Sequence, residues 1–185
     1  MDISEAIFTR RSIREYTSQT VDDETIHRLI EAAIYAPNSV NSQPWMFTVI
    51  RDQSVLESLS QQAKAHMLAT ACRHDADLFG ARLIDPDFQI FYHAPALILI
   101  AAAVEGPWMV ENCSLAAENM MLFAHCLGLG TCWIGFAQSY LNTREGKKLL
   151  GLPTAAVPVA PIIIGHPRSV PFDVPRKVPE VHWIG

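Results

Sequence analysis

Apolar residues along this chain fall either at helical spacing or in short runs, and the two patterns divide it into helices and strands. Between Asp22 and Pro37 the apolar positions Ile26, Leu29, Ile30 and Ala33 fall at i, i+3, i+4 and i+7, the spacing of an amphipathic helix. Asp22 suits its N-cap and Pro37 stops it. A shorter helix is expected over 3–10, with Ile3, Ala6 and Ile7 on one face. Ser54 and Glu57 form an S-x-x-E capping box, which predicts a helix from there to about Ala69. From Trp108 to Leu127 the apolar residues cover more than one face, so this helix is expected to be central and nearly surrounded, ending at Gly128 and Gly130. Asn142 and Glu145 bracket another helix start, which closes at Gly151-Leu152-Pro153.

Four segments read as strands: Trp45–Ile50, Pro95–Ala103, Thr131–Ile134 and Val157–Gly165. The second is a continuous apolar run, consistent with burial on both faces. Pro158 and Pro161 in the last argue for an edge or a bulge. Arg11 to Thr20 is irregular, and residues 37–44 form a polar loop. Residues 71–93 should be loop and short helix, where a lid could sit. The tail, 166–185, holds four prolines and one late apolar patch at Val181-His182-Trp183, a composition suited to wrapping a partner subunit. Strands separated by helices make the class α+β or α/β, in a single domain spanning 1–185.

Composition narrows the function classes. Half of the 185 residues are hydrophobic, 18% are charged, and the net charge is −5. That balance disfavours disorder and general binding to nucleic acid or anionic membrane. The longest apolar run, Ala94 to Val104, falls short of the roughly 20 residues of a membrane crossing. The four cysteines form no C-x-x-C pair, and the acidic start Met1-Asp2-Ile3-Ser4-Glu5 is not a secretory signal, so a soluble cytoplasmic protein with free thiols is expected.

Several chemistries have no sequence support. The chain lacks G-x-G-x-x-G, G-x-x-x-x-G-K-[ST] and G-x-S-x-G. Neither His66, Cys72, His74 and His93 nor Cys113, His125, Cys126 and Cys132 show zinc-ligand spacing, so no metal site is expected. Three features remain. Arg10-Arg11-Ser12-Ile13-Arg14 offers guanidinium forks, a hydroxyl and backbone donors suited to a phosphate monoester; the plainer alternative is a solvated basic turn. The loop Pro37-Asn38-Ser39-Val40-Asn41-Ser42-Gln43-Pro44-Trp45 carries amides that pair with a heterocycle edge, or else is an ordinary helix-to-strand turn. Gly128-Leu129-Gly130-Thr131-Cys132-Trp133-Ile134-Gly135-Phe136 lets backbone approach a flat ligand, or else is a helix cap running into a strand.

Taken together and in this order, these segments resemble the nitroreductase family of FMN flavoproteins. The resemblance runs nearly end to end and also rests on W-x-x-x-N-C-S-L-A-A-E-N-M-M-L from Trp108 and P-R-K…E-V-H-W at 175–183. It implies an α+β fold, a three-layer sandwich with a central, mostly antiparallel sheet flanked by helices. It also implies a homodimer with flavin sites at its interface and an exchanged C-terminal strand. Arg10, Ser12, Arg176 and Lys177 would hold the FMN phosphate, with Arg11 beside them, and Arg14 would approach the N1/O2 edge of the ring. Asn41 and Gln43 would hydrogen-bond the flavin, while Pro37, Asn38 and Ser39 line its face. The backbone N–H groups of Ile134 and Gly135 would point at N5 and O4. The implied activity is a ping-pong oxidoreductase: NADH or NADPH reduces the flavin, then a small-molecule acceptor such as a nitroaromatic or quinone takes its place. The flavin carries the chemistry, so no catalytic side chain is assigned. The same scaffold also hosts reductive dehalogenation, flavin breakdown, azoline oxidation and non-catalytic flavin sensing. Asn112 stands where many members have Asp and Glu118 where many have Gln; both read as helix-packing variation.

Overall fold

In the computed structural model, residues 1–70, 79–169 and 171–185 are described. The strands β1 (Trp45–Ile50), β2 (Ala96–Ala102), β3 (Gly130–Trp133) and β4 (Val157–Gly165) form one sheet in the order β1-β2-β4-β3. Every neighbouring pair is antiparallel. β2 is buried along its whole length, as its unbroken apolar run predicts. Its side chains alternate between two cores. Ala96, Ile98, Ile100 and Ala102 join one, with residues of helix α2 (Asp23–Ile34) and helix α4 (Met109–Cys126). Leu97 and Leu99 join the other, with residues of helix α3 (Gln53–Thr70) and helix α5 (Gly135–Leu141). The result is the three-layer sandwich, α2/α4 over the sheet over α3/α5. Helices α1 (Ile3–Thr9) and α6 (Arg144–Leu149) complete it.

Most expected elements stand where the pattern puts them, and the differences have local causes. Asp22 caps α2, its carboxylate accepting from Thr25 N–H at 2.7 Å. The cap of α3 is Asp52 rather than Ser54: the Asp52 carboxylate accepts from Ser54 N–H at 2.8 Å, and Ser54 is already inside the helix. Likewise Thr143, not Asn142, caps α6, accepting from Gly146 N–H at 3.0 Å. Asn142 instead donates its amide to the Gln138 and Pro158 carbonyls. Helix α5 is absent from the sequence reading, because its seven residues open on a glycine and hold too few turns to show a period.

The two prolines of β4 do not mark an edge. β4 is an inner strand, and the irregularity falls where Ile100 pairs with Ala160 but Ala101 with Pro158, skipping Val159. A bulge absorbs the missing donor. The central-helix expectation holds for one flank of α4, seven of its 18 residues. Asn112, Cys113, Ala116, Ala117, Met120, Met121 and Ala124 are buried, but Val110 and Leu115 are exposed. On α1 only Ala6 is buried, while Ile3, Ile7 and Phe8 are exposed. Residues 79–83 are helical and 86–93 run in turns; the rest of the segment read as a possible lid, 71–78, lies outside the described residues. No helix among the described residues is long and apolar enough to cross a membrane.

Candidate functional site

Leaving α1, the chain runs extended along the free side of β3. Ile13 N–H donates to the Thr131 carbonyl at 2.9 Å, and Ser12 bridges Thr131 in parallel. The approach needs Gly130, where a Cβ would sit 2.6 Å from Ile13 Cγ1. The segment's cations thereby gather around a cavity of about 310 Å³ lined by Arg10, Arg11, Ser12, Arg14, Pro171, Val174 and Arg176. Arg11 donates to the Phe8 and Arg10 carbonyls, each at 2.8 Å, and pairs with Asp173 of the tail. That bond holds the Asp173 carboxyl below its usual range. Arg10 Nε lies 3.5 Å from Glu118 Oε1, near enough for an ion pair but without a hydrogen bond. Both Nε groups, of Arg10 and Arg11, are buried with no partner. A buried unpaired donor costs about 1–3 kcal/mol, a cost that an anion accepting from these groups would offset. Lys177, expected beside Arg176, does not line the cavity. Behind Arg10, the His125 Nε2 and Thr9 Oγ1 lie 2.8 Å apart, and burial together with Arg10 lowers the imidazole pKa.

Arg14 also lines a second cavity of about 360 Å³, with Met67, Phe79, Tyr92, Cys132, Trp133, Ile134, Gly135 and Phe136. The two cavities are thus neighbours across one guanidinium. Phe79 meets Phe136 edge-on at 5.3 Å, and the Arg14 guanidinium sits 5.9 Å from the Tyr92 ring centre. Burial pushes the Cys132 thiol up, against the opposing pull of Arg14. One expected donor is not free: Ile134 N–H donates to the Pro161 carbonyl at 2.8 Å, continuing the sheet past the end of β3. Gly135 opens α5, so its N–H has no acceptor within the helix. Cys132, Trp133 and Phe136 come from the expected glycine segment, whereas Met67, Phe79 and Tyr92 were not singled out from sequence. Apolar residues of this kind are indistinguishable from core until the fold converges them.

The loop 37–43 lies elsewhere. Pro37, Asn38 and Ser39 line a groove of about 290 Å³ with Trp108, Glu111, Asn112 and Leu115. Ser39 N–H donates to Asn112 Oδ1 at 3.0 Å, and Asn38 Oδ1 accepts from Gln43 N–H at 2.9 Å. The Gln43 amide donates to Asn41 Oδ1 at 3.1 Å, so the two expected flavin ligands hold each other. Val40, Asn41 and Gln43 all have left-handed φ, of 47°, 53° and 43°. Such backbone costs of order 1–3 kcal/mol per residue, and a β-branched valine is the most strained of the three. The loop feeds β1 at Trp45, opposite Ala102, whereas the arginine segment docks on β3 at Gly130 and Thr131, level with Gly165 and Ile164 and so with Ala96. The separation is three strand spacings, roughly 14 Å, and six residues along the strands, roughly 20 Å. The two expected halves of the site occupy diagonal corners of one sheet.

Comparison with known proteins agrees with the architecture. A protein of Archaeoglobus fulgidus provisionally named an NADH dehydrogenase/NAD(P)H nitroreductase is 33% identical over 169 residues, covering 88% of this chain and 84% of that one. The NADPH-flavin oxidoreductase of Vibrio harveyi is 30% identical over 93% of this chain and 68% of its own. A nitroreductase from Bacteroides fragilis, solved with bound FMN, superposes with a TM-score of 0.87 over the full length of both chains at 24% identity, which shows the shared fold. The model of the nitroreductase family matches residues 7–166, from the last turns of α1 to just past β4, and this chain belongs to that family.

Proposed function

We propose that the chain is an NAD(P)H-dependent FMN oxidoreductase that reduces nitroaromatics, quinones or similar acceptors by a ping-pong cycle. The observation that carries the reading is the pair of adjoining cavities: one lined by Arg10, Arg11, Ser12 and Arg176, the other floored by Trp133, Ile134 and Gly135, with Arg14 between them. Unpartnered guanidinium N–H groups in the first fit the FMN phosphate, which carries roughly −1.5 to −2 charge. The second is apolar enough that it would hold a flavin ring, where Arg14 in its lining would favour negative charge on the ring. Gly135 N–H is the backbone donor available beside N5. Bound FMN would supply the redox chemistry, and the protein supplies binding, orientation and electrostatics.

Asn41, Gln43, Pro37, Asn38 and Ser39 cannot reach that corner from their own sheet corner, so a second copy brings them. Three observations favour the homodimer. Phe8 is 76% exposed, Trp183 91% and Ile184 fully. Tail residues 171–185 form no regular structure, and β1 has an unpaired outer edge among the described residues. Exchange of the tail between copies answers all three, within a single domain over 1–185. Lys177 meets the phosphate only after such a rearrangement. The cytoplasm suits this assignment, since Cys113, Cys126 and Cys132 are all free thiols.

The direct test is an absorbance spectrum of the purified protein, before and after anaerobic addition of NADH or NADPH. Oxidised-flavin bands that bleach support the reading. Bands that persist point to a flavin sensor or another donor, and no bands after incubation with FMN would overturn it.

A further inference from the structure

From residues 37–43, one hydrogen bond among the described residues reaches a distant element, Ser39 N–H to Asn112 Oδ1 at 3.0 Å, while the flanks are tied separately by Ala36 N–H to the Ala33 carbonyl and by Ala103 N–H to the Pro44 carbonyl. The loop's other hydrogen bonds are internal, from Asn38 to Ala36 and from Gln43 to Asn38 and Asn41, with the Ser42 amide returning to Ser39. Asn112 itself is 4% exposed, one of three buried polar residues among those described. It sits on the first turn of α4, and its own N–H is engaged with the Trp108 carbonyl at 2.9 Å. A buried side-chain amide is costly unless it is hydrogen-bonded, and here the bond goes to the one strained loop that the assignment needs.

We infer that Asn112 is a positioning residue: through Ser39 it holds the left-handed backbone of Val40, Asn41 and Gln43 in the form that presents Asn41 and Gln43 to the flavin. This rests on the proposed role of that loop. Left-handed valine and glutamine are unfavourable in a free loop, so releasing the Ser39 anchor lets the backbone relax and withdraws both side chains. The required property of the residue at 112 is an acceptor oxygen at that place, not its amide nitrogen. Asp supplies the same acceptor and Leu, of similar size, does not.

The test uses the full-length, FMN-loaded protein. Asn112→Leu should raise the FMN dissociation constant and the acceptor KM by on the order of tenfold, the range of an unmade buried hydrogen bond. It should also shift the visible flavin band, with kcat changing less than KM. Asn112→Asp should restore the band and KM. If Asn112→Leu folds, keeps its flavin band and KM, and only melts lower, Asn112 is merely structural and the inference fails. If Asn112→Leu does not fold, exchange of the Ser39 amide proton in the folded wild type decides: protection supports the anchor and free-loop exchange overturns it. A wild type that takes up no FMN defeats the functional reading and the inference together; a wild type that takes it up while Asn112→Leu matches it defeats the inference alone.

Discussion

Ile13 and Gly130 are in direct backbone-to-side-chain contact, so close that any side chain at 130 would occupy the space of the Ile13 β-branch, at 2.6–2.8 Å from three of its carbons. The contact fastens the arginine segment to the sheet edge. Gly130→Ala should therefore push Ile13 outward, cost about 1–3 kcal/mol of stability as overpacking does, and loosen FMN through Ser12 and Arg14. Thermal unfolding and an FMN titration would measure both. Unchanged FMN affinity in a destabilised protein would detach the segment from the cofactor.

Removing the charges of the anion corner separates its members. Arg10→Ala and Arg176→Ala should each weaken FMN retention by about 1.5–3 kcal/mol, the scale of a charge-assisted hydrogen bond. Lys177→Ala should weaken retention only through the dimer, because within one chain Lys177 does not line the cavity. Equilibrium dialysis of FMN gives the three values, and unchanged retention in both arginine variants refutes the phosphate assignment.

His125 should leave a signature in the pH dependence of stability. Its folded pKa lies below the ordinary 6.5, chiefly through burial and then through Arg10. A depressed folded value means the unfolded chain takes up the proton first. The neutral imidazole's contribution is therefore full above about 6.5 and is lost as pH falls towards the folded pKa. Urea unfolding across that window should show stability rising with pH, and His125→Gln should flatten the slope. An identical slope in the variant would assign it to other groups.

Assembly is open to a direct check. The protein should sediment as a dimer, and Phe8→Glu or Trp183→Glu should shift it towards monomer with loss of bound FMN. Sedimentation with absorbance detection reads mass and flavin together. A wild-type monomer that retains FMN would contradict a site shared between copies.

Much of this was legible from residues alone. β1 was bounded to the residue because Trp45–Ile50 is flanked by Pro44 and by Asp52, the cap of the next helix. The central place of β2 followed from its unbroken apolar run. What escaped was set by distant partners. Pro158 and Pro161 left an edge and a bulge both open, and only the pairing with β2 shows that it is the bulge, with β4 inside the sheet. Ile134 read as a free donor because the Pro161 carbonyl that takes its proton lies 27 residues away. The arginine cluster and the 37–43 loop were each visible as local motifs, yet only the strand order shows that they sit at opposite corners. Phe79 and Tyr92, which face that segment across the cavity, carried no signal, since nothing local distinguishes them from core.

Helix α4 touches both corners. Asn112 near its start holds the 37–43 loop, Glu118 lies against Arg10, and His125 near its end meets Thr9. Asn112 and Glu118 are six residues apart, roughly 9 Å along a rigid axis, and the buried flank between them is alanine and cysteine packed on the sheet. The two corners therefore cannot be tuned independently. A larger residue at Ala116 or Ala117 that lifts the helix would displace the loop and the anion corner at once, so variation that alters what the enzyme accepts must enter through the loop tips and the tail rather than through the helix that carries them.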